Sequence, residues 1–273
     1  MLIKQVVITL ALWLLAATAA LAQFDHSHAA WTTLLKKHVA LIDGGKASQL
    51  RYAGMAADRA QLTSYREALA NVSEAEFKGW NKNQQLAFLI NAYNANMVEK
   101  ILLRYPNIKS VWDYGKLFGN PFKDNFINLF GRKMTLDNIE HDTIRVAGSY
   151  DDPRIHFAVN CASIGCPMLR EEAYVGERID RQLEEQTVRF MSDRTRNRMS
   201  ADGKLEVSKI FDSPPWYGGD FRKGHKGFAT LESFFAKYAN LLTDAAEQQK
   251  IIRDGKAEIR HLDYDWGLND AKK

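Results

Sequence analysis

Residues 83–105 constrain this chain more than any other stretch. Leu86, Phe88, Leu89, Ile90, Tyr93, Met97, Val98, Ile101 and Leu102 fall on nearly every side of an α-helix, so the helix predicted here must be surrounded by the rest of the fold. Pro106 ends it, because proline removes a donor and clashes with the preceding turn. Within this apolar rod, Asn91 and Asn94 stand out. Asparagine is a poor helix former, and burying an unpaired amide costs roughly 1–3 kcal/mol. At spacing i, i+3 the two share one face. They are expected to clamp a neighbouring loop, with direct ligand contact as the second reading.

The other periodic segments give mostly helices and a few sequence-local strands. Trp31, Leu34, Leu35, His38, Val39 and Ile42 follow helical spacing up to Gly44-Gly45, and residues 50–53 read as a short strand. A helix over 58–70 follows, then a short one capped by Ser73 through the pattern Ser73-Glu74-Ala75-Glu76. Residues 126–130 and 133–135 flank Gly131-Arg132 as a hairpin, and Thr135 can cap a helix over 136–147 that carries Glu140 and His141. Further helices are expected over 175–192, after Thr230 and over 244–254. Strands are expected over 204–211 and 258–266, and an aromatic loop over 213–221. The class is α+β: a mostly helical single domain with a small, mainly antiparallel sheet.

The first 22 residues stand apart. Lys4, the apolar run 6–17 and Ala20-Leu21-Ala22 form the pattern of a secretory signal peptide, with cleavage between Ala22 and Gln23. The expected mature chain, 23–273, is one soluble globular domain, periplasmic or secreted, with no membrane contact after cleavage. Loss of Lys4 takes the formal charge from +4 to +3. The arginines at 189, 194, 196 and 198 read as a solvated helix end, so no nucleic-acid partner is expected. Two cysteines and scattered histidines give no metal-ligand spacing. His26 and His28 near the new terminus are expected to be solvated, and no cofactor is implied.

Residues 152–167, Asp-Pro-Arg-Ile-His-Phe-Ala-Val-Asn-Cys-Ala-Ser-Ile-Gly-Cys-Pro, hold both cysteines. Their first half is apolar enough to be buried, and the second half is small, polar and expected to turn sharply, with Gly165 suited to the turn. A buried rod delivering polar groups into a turn is a common way to build a site. In an exported protein Cys161 and Cys166 can pair as a disulfide. The alternative is a reactive Cys161 thiolate with His156 or His141 as base. His261 with Asp263 offers another base and orienter. Arg154 is expected to pair with Asp265 or Glu140.

Four blocks carry a resemblance. Phe88-x-x-Asn91-Ala92-Tyr93-Asn94-Ala95, Ile139-Glu140-His141-x-x-Ile144-Arg145, Asp152-Pro153-Arg154-x-His156-Phe157-Ala158-x-Asn160-Cys161-x-Ser163-x-x-Cys166-Pro167 and Tyr264-Asp265-Trp266-x-Leu268-Asn269 resemble the DUF547 family over residues 84–269. The family's name records an unassigned function. The resemblance therefore implies which polar positions belong together, namely Asn91, Glu140, His141, Arg154, His156, Cys161 and Cys166, and leaves out His225, His261 and Asp263.

Two functions are compatible with these residues. The first is a binding module for a small-molecule or peptide-like ligand, with a His/Cys/Glu/Asn pocket, an oxidised Cys161–Cys166 pair at its rim, and Asn160, Ser163, Arg154 and Asp265 among its polar contacts. The second is a thiol-dependent hydrolase or acyl-transferase. Cys161 is then the nucleophile, Glu140 or Asn91 fixes the imidazole, and backbone N–H groups of 162–165 form an oxyanion hole.

Overall fold

The structure, a computed structural model, describes residues 23–115 and 119–271. The signal-peptide reading of residues 1–22 lies outside them. The first helix, α1 (Ala29–His38), ends at His38, because Val39 is already extended. Val39 and Ile42 belong to β1 (Val39–Ile42), which pairs antiparallel with β2 (Ala47–Leu50) from Val39 opposite Leu50 to Ile42 opposite Ala47. Gly44 and Gly45 adopt φ of +62° and +86° and close this hairpin where a helix stop was expected. The residues read as a strand over 50–53 lead instead into α2 (Tyr52–Ala57), followed by α3 (Arg59–Ala70) and α4 (Glu74–Gly79). Ser73 caps α4 as expected, its hydroxyl accepting the Glu76 N–H at 3.1 Å.

The central helix is α5 (Lys82–Leu102), buried from Gln85 to Leu102. A reciprocal cap starts it: Asn81 Oδ1 accepts the Gln84 N–H and Gln84 Oε1 accepts the Asn81 N–H. The chain passes close over this end at Gly176, where a Cβ would lie 2.9 Å from the Gln84 backbone nitrogen. The expected hairpin follows as β3 (Ile127–Leu129) and β4 (Arg132–Met134). Thr135 caps α6 (Leu136–Ile139), which is shorter than expected because the chain widens into a π turn over Glu140–Ile144.

Residues 152–159 are buried, as their composition demands, but they are no strand. Asp152 accepts the Arg154 N–H at 3.0 Å and Pro153 opens a 3-10 helix, Pro153–Phe157. This short helix is shared between two cores. Ile155 and Ala158 pack with α5 in the larger one. Phe157 enters the second with Phe190, Phe211, Phe221 and Phe234. The second core is closed by α7 (Ile179–Ser192), β5 (Arg198–Met199), β6 (Leu205–Val207), α8 (Leu231–Lys237), α9 (Ala239–Leu242), α10 (Ala246–Arg253) and β7 (Ile259–His261). β5 pairs antiparallel and β7 parallel with β6. The strands are short and fall into three small sheets, so helices carry the fold and the class is α+β. No helix among the described residues is long and apolar enough to cross a membrane.

Candidate functional site

Asn94 builds the loop that carries Cys161. From α5 its Nδ2–H donates to Ala158 O at 2.9 Å, and its Oδ1 accepts the Asn160 N–H at 2.9 Å. Asn160 then folds the loop from inside: Nδ2–H donates to Pro167 O and Oδ1 accepts the Ala162 N–H. Ala162, with φ of +65°, takes the left-handed position expected of Gly165. For a residue with a Cβ that conformation costs roughly 1–2 kcal/mol. Asn91 makes the same two-point clamp on Tyr174, through its N–H and its carbonyl. Both asparagines are therefore clamps. Asn91 does not reach the cysteine, and Asn160 is spent within the loop.

The expected disulfide is absent: Cys161 and Cys166 are both free thiols. The loop turns the two sulfurs to different tasks. Cys166 Sγ accepts the Cys161 backbone N–H at 3.0 Å, whereas Cys161 Sγ lies 2.8 Å from Ser163 Oγ and 3.1 Å from Tyr264 OH. Burial alone would raise the Cys161 pKa. Hydrogen bonds from Cys166, Ser163, Tyr264 and the Ser163 backbone N–H outweigh it and bring the thiol below its ordinary range. The neighbouring Cys166 is pushed up, by burial first and then by Cys161. Tyr264, also pushed up by burial, keeps its proton to donate.

Cys161 opens into a cavity of about 290 Å³ that Glu140, His141, His156, Tyr93 and Tyr217 also line. His156 and Glu140 are deeply buried, with side chains 1% and 4% exposed. The His156 Nε2–H donates to Asp220 Oδ2 at 2.8 Å, and its ring stacks on Tyr217 at 4.1 Å between centroids. Burial lowers the His156 pKa to about 4, so the imidazole is neutral and Nδ1 is an acceptor. Nδ1 lies 3.8 Å from Glu140 Oε1, and both atoms are buried without a hydrogen bond. Burial raises the Glu140 pKa, favouring its neutral form. Asp220 is held in place by Arg145 Nε–H at 2.7 Å and Lys223 at 2.7 Å. These partners outweigh its burial and hold its carboxyl well below the usual range. Arg145 also donates to His141 Nδ1 at 2.7 Å.

The cavity thus joins four sequence-predicted residues, Cys161, His156, His141 and Glu140, with Ser163 behind the thiol. Others lie elsewhere. Arg154 pairs with Asp152 at 2.7 Å, Asp180 at 2.5 Å and Glu184 at 3.1 Å, not with Asp265 or Glu140. The carboxylate two residues upstream in the same turn and two on α7 surround the guanidinium. Asp265 is exposed and accepts the Gly267 N–H. His261 lies 3.6 Å from Asp212, so it and Asp263 form no triad with Cys161. No histidine is hydrogen-bonded to Cys161 Sγ, and the expected backbone oxyanion hole is occupied. The N–H groups of Ala162, Ile164, Gly165 and Cys166 donate to Asn160 Oδ1, Gly267 O, Asp265 O and Ser163 O.

Asp220, Arg145, Tyr217 and Tyr264 contact His156, His141 or Cys161 and were not assigned by sequence reasoning. Arg145 stands four residues after His141, the spacing of side-chain partners on a helical turn, and that signal was legible. Asp220 hides in the aromatic loop, whose backbone is pressed on Phe211: a Cβ at Gly218 would lie 2.1 Å from the Phe211 carbonyl oxygen. Among the described residues no group of three or more His, Cys, Asp or Glu side chains is arranged to hold a metal.

No curated protein and no solved structure matches the chain. A family model does match, over residues 77–191, and its description is "Protein of unknown function, DUF547". That range holds α5, the Glu140 turn and the Cys161 loop, and stops short of Asp220 and Tyr264. Over residues 77–191 this chain is similar to the DUF547 family.

Proposed function

We propose that this domain is a thiol-dependent acyl-transfer enzyme, a hydrolase or acyl-transferase, working in an exported protein, with Cys161 as nucleophile. The observation that carries the reading is the Cys161 sulfur, a free thiol surrounded by donors and opening into a cavity shared with Glu140 and His156. Such surroundings stabilise the thiolate, the form that attacks. A thiolate prepared this way needs no imidazole hydrogen-bonded to it.

In the first step Cys161 Sγ attacks the substrate carbonyl, the C–S bond forms, and the bond to the leaving group breaks. Glu140, biased toward its neutral form, supplies the leaving group's proton. Water or an acceptor alcohol or amine then attacks the thioester, giving its proton to the Glu140–His156 pair as the C–S bond breaks. Asp220 holds the His156 tautomer that leaves Nδ1 free to accept. With the loop N–H groups occupied, the oxyanion donors are the hydroxyls of Tyr93 and Tyr217. Both line the cavity and make no hydrogen bond among the described residues, and burial keeps both protonated.

The absence of a histidine bonded to Cys161 favours a second reading, a binding module that holds a small-molecule or peptide-like ligand without covalent chemistry. Chain lacking residues 1–22, mixed with 4-nitrophenyl acetate, separates the two. Acyl transfer predicts a nitrophenolate burst stoichiometric with protein, an acetyl group on the Cys161 peptide, and loss of both in Cys161→Ala. A His156→Gln variant should acylate and then release acetate more slowly. No burst, or one that survives Cys161→Ala, leaves the binding module.

A further inference from the structure

The Cys161 cavity has a lopsided chemistry. Part of its lining is a chain of aromatic rings. Trp112 and Trp266 are 5.3 Å apart between centroids, Trp266 and Tyr264 4.5 Å, and Tyr264 and Trp216 4.8 Å. Asp137 and Glu140 line the same cavity. No lysine or arginine among the described residues lines it. Each of its two imidazoles has one nitrogen engaged, His141 Nδ1 by Arg145 and His156 Nε2 by Asp220.

Asp137 is the informative residue. It lines the cavity from the first turn of α6, yet no hydrogen bond to its carboxylate is found among the described residues. Among the described residues its one close charge partner is His141 Nε2, at 3.8 Å. Beside it, Glu140 Oε1 is buried without a hydrogen-bond partner. An anionic substrate would meet this carboxylate and the Cys161 thiolate with no lysine or arginine among the described lining residues; Arg145 lies behind the lining, over Tyr217, and is paired with Asp220. A neutral one could cover the rings but would leave Asp137 unpaired. A cation suits both the rings and the carboxylate, since ring faces attract positive charge and Asp137 supplies the counter-ion.

We infer that the acyl donor for Cys161 carries a positively charged amino group, seated against the Trp112–Trp266–Tyr264–Trp216 rim with Asp137 as its counter-ion. The inference rests on Cys161 being the nucleophile, and it narrows the substrate class to cationic acyl compounds.

Two methanethiosulfonates of similar size and opposite charge, the trimethylammonioethyl and the sulfonatoethyl reagents, test it. Each transfers its thioalkyl group to a thiolate, forming an S–S bond and releasing methanesulfinate. Rates at Cys161, located by peptide mapping, are divided by rates with a free small thiol to remove intrinsic reactivity. The wild-type chain should favour the cationic reagent by about tenfold after that correction, the lower end of what focused fields achieve. Asp137→Asn should lose most of the preference, and raised salt should erode it in the wild type without any substitution. A corrected ratio near one, or one unmoved by both Asp137→Asn and salt, overturns the cationic substrate and leaves the nucleophile standing. No reaction of Cys161 with either reagent overturns the nucleophile, and this inference with it.

Discussion

His156 Nδ1 faces Glu140 Oε1 at 3.8 Å inside the fold, and neither atom has a hydrogen-bond partner. Two buried acceptors in that position are unfavourable unless a proton or a substrate group comes between them. Burial pushes the carboxyl up and the imidazole down, so the proton is biased to the carboxyl side. A substrate hydroxyl or amine entering the cavity can bond both atoms. The pair is thus costly to the fold, and under the proposed acyl transfer it is where a proton would be exchanged.

The imidazole half of that pair sets an acid limit. His156 and the buried His28 are both lowered from 6.5 to about 4, so the unfolded chain takes up protons that the folded chain refuses. Their contribution is complete above about pH 6.5 and is lost as pH falls toward about 4, at most ~3 kcal/mol each. Denaturant unfolding at neutral pH and near pH 4.5 should show a large loss in the wild type. His156→Gln should lose roughly 2–3 kcal/mol less over the same interval. Equal losses in the two proteins would show that His156 titrates normally.

The carboxyl half has the opposite sign. A raised Glu140 means that the unfolded chain releases its proton first as pH rises, so this group destabilises the fold above the ordinary carboxyl range. Glu140→Gln should therefore raise the urea midpoint at neutral pH and change it little in acid, while slowing any Cys161-dependent turnover. A midpoint that drops at neutral pH would mean that Glu140 is charged and paired.

Asn94 joins α5 to the Cys161 loop by two buried hydrogen bonds. Asn94→Ala strands the Ala158 carbonyl and the Asn160 N–H, at a cost of about 3 kcal/mol in the unfolding free energy. Cys161 alkylation should slow in the same variant under conditions where it remains folded. Unchanged reactivity would show that the loop holds its shape without the clamp.

Arg154 is a stability residue. Its guanidinium neutralises Asp152, whose side chain is only 4% exposed, and reaches Asp180 and Glu184 on α7. Arg154→Ala leaves that buried carboxylate with only Lys226, at 3.5 Å, as a charge partner and should cost roughly 3–5 kcal/mol. Removing Asp152 as well should recover part of the loss. A single variant with an unchanged thermal midpoint contradicts this assignment.

What was legible in the sequence was mostly local. The all-round apolar pattern gave away α5, Ser73, Thr135 and Thr230 cap the helices after them, and the misplaced amides of α5 marked two clamps. Local pattern also misled where two periods overlap. Val39 and Ile42 continue the α1 spacing, but β-branched residues before Gly44-Gly45 favour a hairpin, and tertiary pairing with β2 decides. The shape of the Cys161 loop was hidden because it depends on Asn94, 66 residues before Asn160, and on Tyr264, 103 residues after Cys161. Asp220, the partner of His156, is 64 residues from it and lies in a loop with no periodicity to read. The disulfide was expected from compartment and spacing; the loop's own hydrogen bonds turn the thiols apart in role.

The pH dependence of Cys161 alkylation by iodoacetamide, followed peptide by peptide, bears most directly on the nucleophile. Cys161 should react as a thiolate well below the ordinary thiol range and Cys166 should stay unmodified. Tyr264→Phe and Ser163→Ala should each move the profile to higher pH by removing a donor. A Cys161 that titrates as an ordinary thiol, or a profile indifferent to both substitutions, would contradict the poised nucleophile.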